Sequence, residues 1–408
     1  MPLEIKDQVL TSPSWLDKDF IQRALRAGDE DSNILSYHVS MANAVGDGMG
    51  SDMYRVAVKL QNSEELRLIV KCQPEDGARE AFIRKTNAFD KETNFFTVTL
   101  PAMSKLLEVA ESSEYRPLAA KCLYHGKNSV QFLVLEDLRQ SGFTLVNSLE
   151  DMDLAHCTLA AKALARFHAS SLALLEQNPN AFQSYMEPLY SEDIREDMTP
   201  FFQSTLHSLE HVVAKWPGYE KFSEKIKHIR ENIYDIFLQS MTAKSGELKT
   251  LIHADVWYRN LMFKYSDTCV TDIKLVDFQL CFYSSPTIDL HHFLSVCPNA
   301  EVRDNSIDFL VQVYHSTLLE TLDILHCSKY KITLQNLKKD FENHLLYGFI
   351  VTALYLPLTM VDPSQKNLND LLDQNSSVNN SCEDVMKSSF YERIMKKLLL
   401  KCEKLGVI

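Results

Sequence analysis

The residues His253, Asp255 and Asn260 follow one another in the spacing His-x-Asp-x-x-x-x-Asn, and Asp277 ends an apolar run further along the chain. A carboxylate in such a segment can take the proton of a hydroxyl group. Amide and carboxylate oxygens are ligands that Mg²⁺ accepts in proteins, together with phosphate oxygens. Phosphoryl transfer needs these parts, because the protein holds the acceptor in line, accepts its proton and neutralises the phosphates with metal. We therefore predict that Asp255 is the catalytic base and that Asn260 and Asp277 are metal ligands.

Either half of this pattern could arise by chance, as a polar loop beside an ordinary strand that ends in Asp. The two halves stand in the order that phosphoryl transfer requires, and both lie between apolar runs. The combination therefore favours a catalytic site over an accident of sequence.

Lys71 lies in the apolar run Leu68-Ile69-Val70-Lys71-Cys72, which is typical of a strand. The common interpretation of such a lysine is an edge-strand residue that points to water. Glu92 follows on a segment with helical spacing, and it could equally be a solvated helix residue. The order of strand lysine, helix glutamate and His-x-Asp favours a second interpretation, in which Lys71 binds phosphates and Glu92 orients it.

The segment Val45-Gly46-Asp47-Gly48-Met49-Gly50-Ser51 lies between two predicted strands. Glycines allow a backbone to approach phosphates closely, so we predict Gly48 and Ser51 as nucleotide contacts. The spacing is not G-x-G-x-x-G, and a Gly-rich hairpin turn explains it equally well.

Two further segments could support the same chemistry. Glu136 and Leu138 flank an extended stretch whose main-chain groups can pair with the adenine edge, although a strand that ends in an acidic turn is an equal alternative. Asp289 opens a predicted helix, where it could interact with the helix dipole or brace the catalytic loop.

The pattern of apolar residues predicts an α+β protein with two lobes. We expect a small β-rich nucleotide-binding lobe over residues 1–138 and a larger, mainly helical catalytic and acceptor-binding lobe over 139–408. The predicted strands are 34–40, 54–60, 66–72, 121–125 and 130–135, and a β-containing interruption covers 250–282. The predicted helices are 14–27, 78–97, 151–177, 190–213, 219–241, 303–325, 336–356 and 383–404.

The bulk properties exclude several classes of protein. A net charge of −13 without a Lys/Arg cluster argues against a nucleic-acid partner, whereas ATP needs only a local pocket. The nine scattered cysteines, never in CxxC spacing, are typical of free thiols in a reducing compartment. We see no secretory signal at the N-terminus and no apolar run long enough to span a bilayer, so we expect a cytoplasmic protein without a membrane partner.

The segment from Ile252 to Tyr265, with Trp257 inside it, resembles the catalytic run of the insect ecdysteroid-kinase-like family, also described as choline-kinase-like. Further matches are Asp277-Phe278-Gln279, Glu136-Asp137-Leu138, Phe167-His168-Ala169, and Lys71 with Glu92. The one small departure in this run is Ala254, where the family more often has Gly.

This resemblance implies a two-lobed protein-kinase-like fold and the cofactors ATP and Mg²⁺. It also implies phosphorylation of a hydroxyl on a small, apolar acceptor, such as an ecdysteroid-like steroid or a xenobiotic alcohol or phenol. By the same resemblance Asp255 is the base, Asn260 and Asp277 hold Mg²⁺, and Lys71 binds phosphate. Glu92 orients Lys71, the stretch from Glu136 to Leu138 forms the hinge, and His253 is a structural residue of the catalytic loop.

Two alternatives remain open at this point. A choline- or aminoglycoside-type kinase of the same fold would need an aromatic cage with carboxylates or a strongly acidic cleft. A pseudokinase that binds nucleotide without catalysis would be expected to lack Lys71, Asp255, Asn260 or Asp277, and all four are present.

Overall fold

The computed structural model of the protein describes residues 12–28, 30, 33–42, 50–61, 65–75, 77–361 and 377–408. The predicted strands of the N-terminal part are all present, with small shifts at their ends. They are β1 (Ile34–Met41), β2 (Asp52–Leu60), β3 (Leu66–Cys72), β4 (Cys122–Lys127) and β5 (Gln131–Glu136). These strands form one antiparallel sheet in the order β1-β2-β3-β5-β4, so β3 is the central strand.

The two faces of β3 have different partners, because successive side chains of a strand point to opposite faces. Leu68 and Val70 pack with Phe20 of the first helix in one apolar cluster. Ile69 belongs to a second, larger cluster that extends into the helical part. Lys71 lies on the same face as Ile69 and is therefore directed towards the helical part of the chain.

The first helix, α1 (Lys18–Ala27), begins later than predicted. The carboxylate of Asp17 accepts a hydrogen bond from Phe20 N at 2.8 Å and caps the helix. Residues before Asp17 form a turn instead, in which Leu16 N donates to Pro13 O. The predicted start at residue 14 is therefore wrong.

The single helix predicted over 78–97 is divided in the structure. Asn87 has a left-handed backbone, with φ of 50°, and interrupts the helical path. A π-helical turn, Phe95–Thr99, then leads into the next helix. The helices of this region are α2 (Gly77–Thr86), α3 (Ala88–Asn94) and α4 (Leu100–Glu111). Glu92 lies on α3 and is buried.

The C-terminal part is mainly helical, as predicted, and its short strands surround the segment from Ile252 to Asp277. The strands are β6 (Phe143–Leu145), β7 (Thr250–Ile252), β8 (Leu261–Ser266), β9 (Cys269–Leu275) and β10 (Phe282–Ser284). A three-stranded sheet has the order β6-β8-β9, and β7 pairs with β10. The helices are α5 (Leu154–Gln177), α6 (Arg195–Val213), α7 (Lys221–Glu231), α8 (Ile233–Ser240), α9 (Pro286–Val296), α10 (Ala300–Asn305), α11 (Ile307–Ile324), α12 (Leu334–Asn343), α13 (Leu345–Met360) and finally Ser377–Met386 and Ser389–Lys404.

Helix packing in this part places α9 at the centre of the core. Helix α5 packs against α11, and α9 packs against α13. Gly348 of α13 allows the second contact, because a Cβ at this position would overlap the ring of His291 on α9. The predicted α+β class, with a strand-rich N-terminal part and a helical C-terminal part, is confirmed.

All nine cysteines are free thiols in the structure. Among the helices of the described ranges, none combines the length and the apolar composition that a bilayer crossing requires.

Candidate active site

The catalytic loop runs from the end of β7 at Ile252 to the start of β8 at Leu261, and the carboxylate of Asp289 holds its first residues. Asp289 accepts hydrogen bonds from His253 N and from Ala254 N, both at 2.7 Å. Ala254 has a left-handed backbone with φ of 65°, which L-residues rarely adopt. The two bonds fix the main chain directly before Asp255.

Asp289 is fully buried in the first turn of α9 and has a further partner on α5. The ring of His168 lies 3.0 Å from Asp289, through Nε2, and 2.8 Å from the hydroxyl of Tyr314, through Nδ1. Burial alone would raise the pKa of Asp289, but the hydrogen bonds from His168 and from the main chain of His253 hold the pKa below its usual value. Of the two interpretations of Asp289, the brace for the catalytic loop is the one that the geometry supports.

His253 stabilises the loop from within. Its Nε2 lies 3.1 Å from Val276 O, and its Nδ1 accepts a hydrogen bond from Asp255 N at 3.3 Å. Burial lowers the pKa of the His253 ring, so the ring is neutral near pH 7. His253 thereby links the catalytic loop to the residue that precedes Asp277.

Asp255 and Asn260 contact each other across the loop. Asn260 Nδ2 donates to Asp255 Oδ2 at 2.8 Å and to Asp255 O at 2.9 Å. Burial first, and the nearby charge of Asp277 second, raise the pKa of the Asp255 carboxyl to about 8. A carboxylate in this environment is a stronger base than an exposed one.

Lys71, Glu92 and Asp277 form a buried cluster between the sheet and the helical part. Lys71 Nζ lies 2.7 Å from Glu92 Oε2 and 3.0 Å from Asp277 Oδ1. Burial alone would lower the pKa of Lys71, but the two carboxylates outweigh it and raise the pKa, so the amine is charged. Lys71 is not the solvated edge lysine of the alternative interpretation, since it lies on the central strand and is 4% exposed.

The turn before β2 comes close to Asp277. The side chain of Gln279 donates to Asp277 Oδ2 at 3.2 Å. A Cβ added to Gly50 would lie 2.7 Å from Gln279 Oε1, so a larger residue here would displace the Gln279 side chain from Asp277. Ser51 is buried, and its hydroxyl has no hydrogen-bond partner among the described residues. Gly48, the other predicted contact of this turn, lies outside the described residues.

The stretch from Glu136 to Leu138 connects β5 to the helical part. Glu136 N donates to Lys121 O at 3.0 Å, and Asp137 N donates to Arg67 O at 3.3 Å. The carboxylate of Asp137 accepts a 2.6 Å hydrogen bond from Arg55 Nε of β2. This ion pair was not predicted, because nothing in the pattern of β2 indicates which of its side chains reaches the connection.

A small recess of about 20 Å³ adjoins Asp255. The hydroxyls of Tyr190 and Tyr355 are 2.7 Å apart in its wall. His292 Nδ1 lies 3.3 Å from the hydroxyl of Tyr347, and His292 Nε2 lies 4.0 Å from Asp255 Oδ1. Burial lowers the pKa of His292 to about 4, so His292 does not form an ion pair with Asp255 near pH 7.

The remaining walls of this recess are mostly apolar, and Asp255 is its one carboxylate among the described residues. The sequence did not place Tyr347 or Tyr355 at a cleft, although both belong to the many aromatic residues of the helical part. It did not identify Tyr190 or His292, because a periodic pattern does not show which helix face meets a cleft. The other lining residues are Pro188, Leu189, Phe237, Met241, Ala254, Leu280 and Phe282.

A larger cavity of about 570 Å³ lies between α7, α8 and α13. Tyr347 lines both this cavity and the recess at Asp255. The side chains that carry the catalytic pattern do not line the larger cavity, so the candidate active site is the cleft around Asp255.

Three solved or characterised proteins share local or overall similarity with this chain. A 4-hydroxytryptamine kinase from Psilocybe cyanescens is 41% identical over 51 residues, which are 12% of this chain and 14% of that kinase. The match thus spans a small part of that relative's length. A candidate aminoglycoside phosphotransferase from Ralstonia eutropha aligns with a TM-score of 0.44 and 12% identity, over 92% of this chain and 98% of the other. Plasmodium vivax ethanolamine kinase aligns with a TM-score of 0.43 and 12% identity, over 88% of this chain and 83% of the other.

The ecdysteroid kinase-like family matches this chain over residues 45–327, which is more than half of its length. The matched range contains Lys71, Glu92, Asp255, Asn260 and Asp277. The chain therefore belongs to the ecdysteroid kinase-like family, a family of small-molecule kinases.

Proposed function

We propose that this protein is an ATP-dependent kinase that phosphorylates a hydroxyl group of a small, apolar molecule. One observation carries the proposal: the Lys71–Glu92–Asp277 cluster and the Asp255–Asn260 pair converge on a single cleft, although they come from distant parts of the chain. Phosphoryl transfer depends on positioning and on charge stabilisation, and these side chains supply both.

Asn260 and Asp277 fit a divalent metal. Asn260 uses its amide nitrogen on Asp255, which leaves the amide oxygen for a cation, and Asp277 adds a carboxylate. The described part of the chain has no group of three or more His, Cys, Asp or Glu side chains placed to hold a metal alone. A Mg²⁺ ion would therefore share phosphate oxygens as ligands, as it commonly does in kinases, and would neutralise their charge.

Lys71 would contact the phosphates of ATP. Glu92 would orient the amine, since it also accepts a 3.2 Å hydrogen bond from Phe278 N, next to Asp277. The buried hydroxyl of Ser51, which has no partner among the described residues, would donate to a phosphate oxygen. Gly48 stays a nucleotide contact that the sequence alone predicts.

The connection after β5 would bind the adenine ring. The main-chain N–H groups of Glu136 and Asp137 already donate to Lys121 and Arg67. Leu138 N–H, by contrast, donates to no main-chain oxygen of the described residues, which suits it to an adenine nitrogen. We propose that Leu138 ends the nucleotide-binding lobe (1–138) and that the catalytic and acceptor-binding lobe follows (139–408).

Asp255 would act as the base. As the acceptor oxygen bonds to the γ-phosphorus, its proton passes to the Asp255 carboxylate, the bond from the γ-phosphorus to the β,γ-bridging oxygen breaks and ADP leaves. The pKa of Asp255, raised to about 8 in the metal-free protein, makes its carboxylate a strong base once ionised, and a cation held by Asn260 and Asp277 would favour that ionised form. The products are a phosphate monoester and ADP.

The lining of the recess supports an apolar acceptor, such as an ecdysteroid-like steroid or a xenobiotic alcohol or phenol. A quaternary ammonium or polyamine acceptor would need carboxylates in addition to the base. The recess has Asp255 alone among its described lining, with neutral His292 and neutral tyrosines beside it. The local similarity to a kinase of 4-hydroxytryptamine, whose hydroxyl stands on an aromatic ring, supports a phenol-type hydroxyl as the acceptor group, although the amine of that compound is not apolar. The free cysteines suit a reducing compartment, and we propose a cytoplasmic location.

The test is transfer of label from γ-labelled ATP to a panel of acceptors by the purified protein in the presence of Mg²⁺. The panel contains ecdysteroids, plant phenols, choline and an aminoglycoside. We expect labelled product with one or more of the apolar hydroxyl compounds and none with choline or the aminoglycoside. Labelling of choline or the aminoglycoside alone would refute the acceptor class, and an absence of product from every acceptor would refute the kinase proposal for this panel.

A further inference from the structure

Helix α3 is joined to the segment that forms one wall of the recess at Asp255. This segment covers residues 183–194 and is called here the acceptor wall. Lys91 Nζ donates to Glu187 O at 2.6 Å. Asn94 Nδ2 donates to the hydroxyls of Ser184 and Tyr185, both at 3.0 Å. Two residues of one short helix thus contact three residues of the acceptor wall.

Lys91 is an unusual residue for such a contact, because it is 8% exposed and its charged amine meets a neutral main-chain oxygen. Burial lowers the pKa of Lys91, which shows that the surroundings disfavour the charge. A methionine has similar length and would fill the space without that desolvation cost. Packing alone therefore does not account for a lysine at this position, whereas a hydrogen bond to the acceptor wall does.

Lys91 and Glu92 are consecutive on α3, and consecutive helix residues point about 100° apart. Glu92 faces the phosphate-binding cluster through Lys71, while Lys91 faces the acceptor wall. The acceptor wall in turn contributes Tyr190 to the recess, where its hydroxyl lies 2.7 Å from that of Tyr355. The position of one helix therefore fixes both sides of the reaction centre.

The recess of about 20 Å³ holds little more than a water molecule, so an acceptor must displace its walls to enter. Movement of the acceptor wall would pull on α3 through Lys91, and ordering of α3 by nucleotide would order the acceptor wall. Reciprocity of this kind is required of any two sites that are energetically linked.

We propose that Lys91 is a positioning residue that links the acceptor wall to the phosphate-binding pair Lys71–Glu92, so that nucleotide binding orders the acceptor-binding side. The inference rests on the proposed function, because it takes the cleft at Lys71 as the nucleotide site. In this role Lys91 acts through its hydrogen bond to the acceptor wall and does not need to contact a substrate.

Hydrogen exchange of the full-length protein, with and without Mg²⁺ and the non-hydrolysable analogue AMP-PNP, tests the link. In the wild-type protein we expect slower exchange both in β3, which contacts the analogue, and in the acceptor wall, by about threefold or more. In Lys91→Met we expect the protection of β3 to remain and that of the acceptor wall to be lost. Because the substitution removes a buried charge, its melting temperature should be equal to or higher than that of the wild type.

Two further variants keep the test decisive. Asn94→Ala removes the neighbouring contacts without touching Lys91 and should reduce the protection of the acceptor wall in part. Lys105→Met, which changes an exposed lysine of α4, should behave as the wild type. Protection of β3 without protection of the wild-type acceptor wall, or full protection in Lys91→Met, would overturn the link. An absence of protection in β3 would instead overturn the nucleotide site itself.

Discussion

Asp289 holds the catalytic loop through three donors: His253 N, Ala254 N and the ring of His168. Its carboxylate is fully buried, so loss of its charge would leave these donors without a matching acceptor. The left-handed backbone of Ala254 costs about 1 kcal/mol for a residue with a Cβ, and the bond to Asp289 helps to hold it. The geometry of Asp255 thus depends on a fully buried residue that does not line the recess.

We expect Asp289→Asn to lower the free energy of unfolding by about 2–4 kcal/mol, because the new amide group presents a donor to buried donors. The rate of phosphoryl transfer should fall as well, since the catalytic loop loses its anchor. Denaturant unfolding and the turnover number measure the two effects. Asp308→Asn, at an exposed carboxylate of α11, is the control and should change neither the free energy of unfolding nor the turnover number. A similar loss in the control would contradict a specific role of Asp289.

The residue types of the candidate site could be predicted from the sequence, and several contacts between them could not. Lys71, Glu92, Asp255, Asn260 and Asp277 stand in an order that phosphoryl transfer explains, and the structure brings them to one cleft. Their roles stay predictions.

Contacts such as Arg55 with Asp137, Lys91 with Glu187 and Tyr190 with Tyr355 join residues far apart in the chain. No local pattern marks them, because each depends on how complete elements pack.

At the scale of elements, the contact between α9 and α13 depends on Gly348. Gly in a helix interior usually costs about 1 kcal/mol relative to Ala, so Gly→Ala in a helix is normally stabilising. Here a Cβ would overlap the ring of His291, whose Nε2 lies 2.7 Å from Phe341 O. The expected effect therefore has the opposite sign.

We expect Gly348→Ala to destabilise the protein by about 1–3 kcal/mol, the range for overpacking of a close contact. The midpoint of denaturant unfolding measures it. His291→Ala removes the ring that the new Cβ would overlap. Adding Gly348→Ala to the His291→Ala variant should therefore cost less unfolding free energy than adding it to the wild type. A stabilising effect of Gly348→Ala would show that the two helices are not in close contact.

Glu247 joins the loop before β7 to the junction of α12 and α13. It accepts hydrogen bonds from Asn343 Nδ2 at 2.9 Å and from Lys244 N at 2.9 Å, and His344 Nε2 lies 2.8 Å away. Burial alone would raise the pKa of Glu247, but these partners hold the pKa below its usual value. Burial and the charge of Glu247 raise the pKa of the neighbouring Asp340.

A folded-state pKa below the unfolded value means that the ionised Glu247 stabilises the fold above the unfolded pKa, near 4.5. This stabilisation is lost as the pH falls through the folded-state pKa. We expect Glu247→Gln to cost about 1–3 kcal/mol at pH 6 and progressively less below about pH 4.5. Unfolding free energies of both proteins across this range measure the difference, and a constant difference would contradict a depressed pKa.

The predicted helices show where periodicity stops being informative. Residues 219–241 and 336–356 were each predicted as one helix, and each is divided, at Asn232 and at His344. The apolar spacing continues across both breaks, so the pattern does not reveal them. At His344 the break follows from tertiary partners, because its ring lies 2.9 Å from Ser240 O and 2.8 Å from Glu247.

At the scale of the whole molecule, the order of a strand-rich part and a helical part was predicted and is confirmed. Local spacing was sufficient, since alternation over short runs differs clearly from helical spacing over long ones. Membership of the ecdysteroid kinase-like family is in agreement with the protein-kinase-like fold that the resemblance of the sequence implied. The shape of the recess at Asp255 was not predicted, because six separate stretches of the chain between Pro188 and Tyr355 build it.

The central claim is that Asp255 accepts the proton of an acceptor hydroxyl in an ATP-dependent kinase. The most direct measurement compares wild-type protein and Asp255→Ala for transfer of the γ-phosphoryl group to the best acceptor of the panel, with Mg²⁺–ATP binding measured on both. We predict that the variant folds, binds Mg²⁺–ATP with nearly unchanged affinity and transfers phosphate about 10²–10⁴ times more slowly. Turnover in Asp255→Ala within about tenfold of the wild type would contradict the assignment of the base.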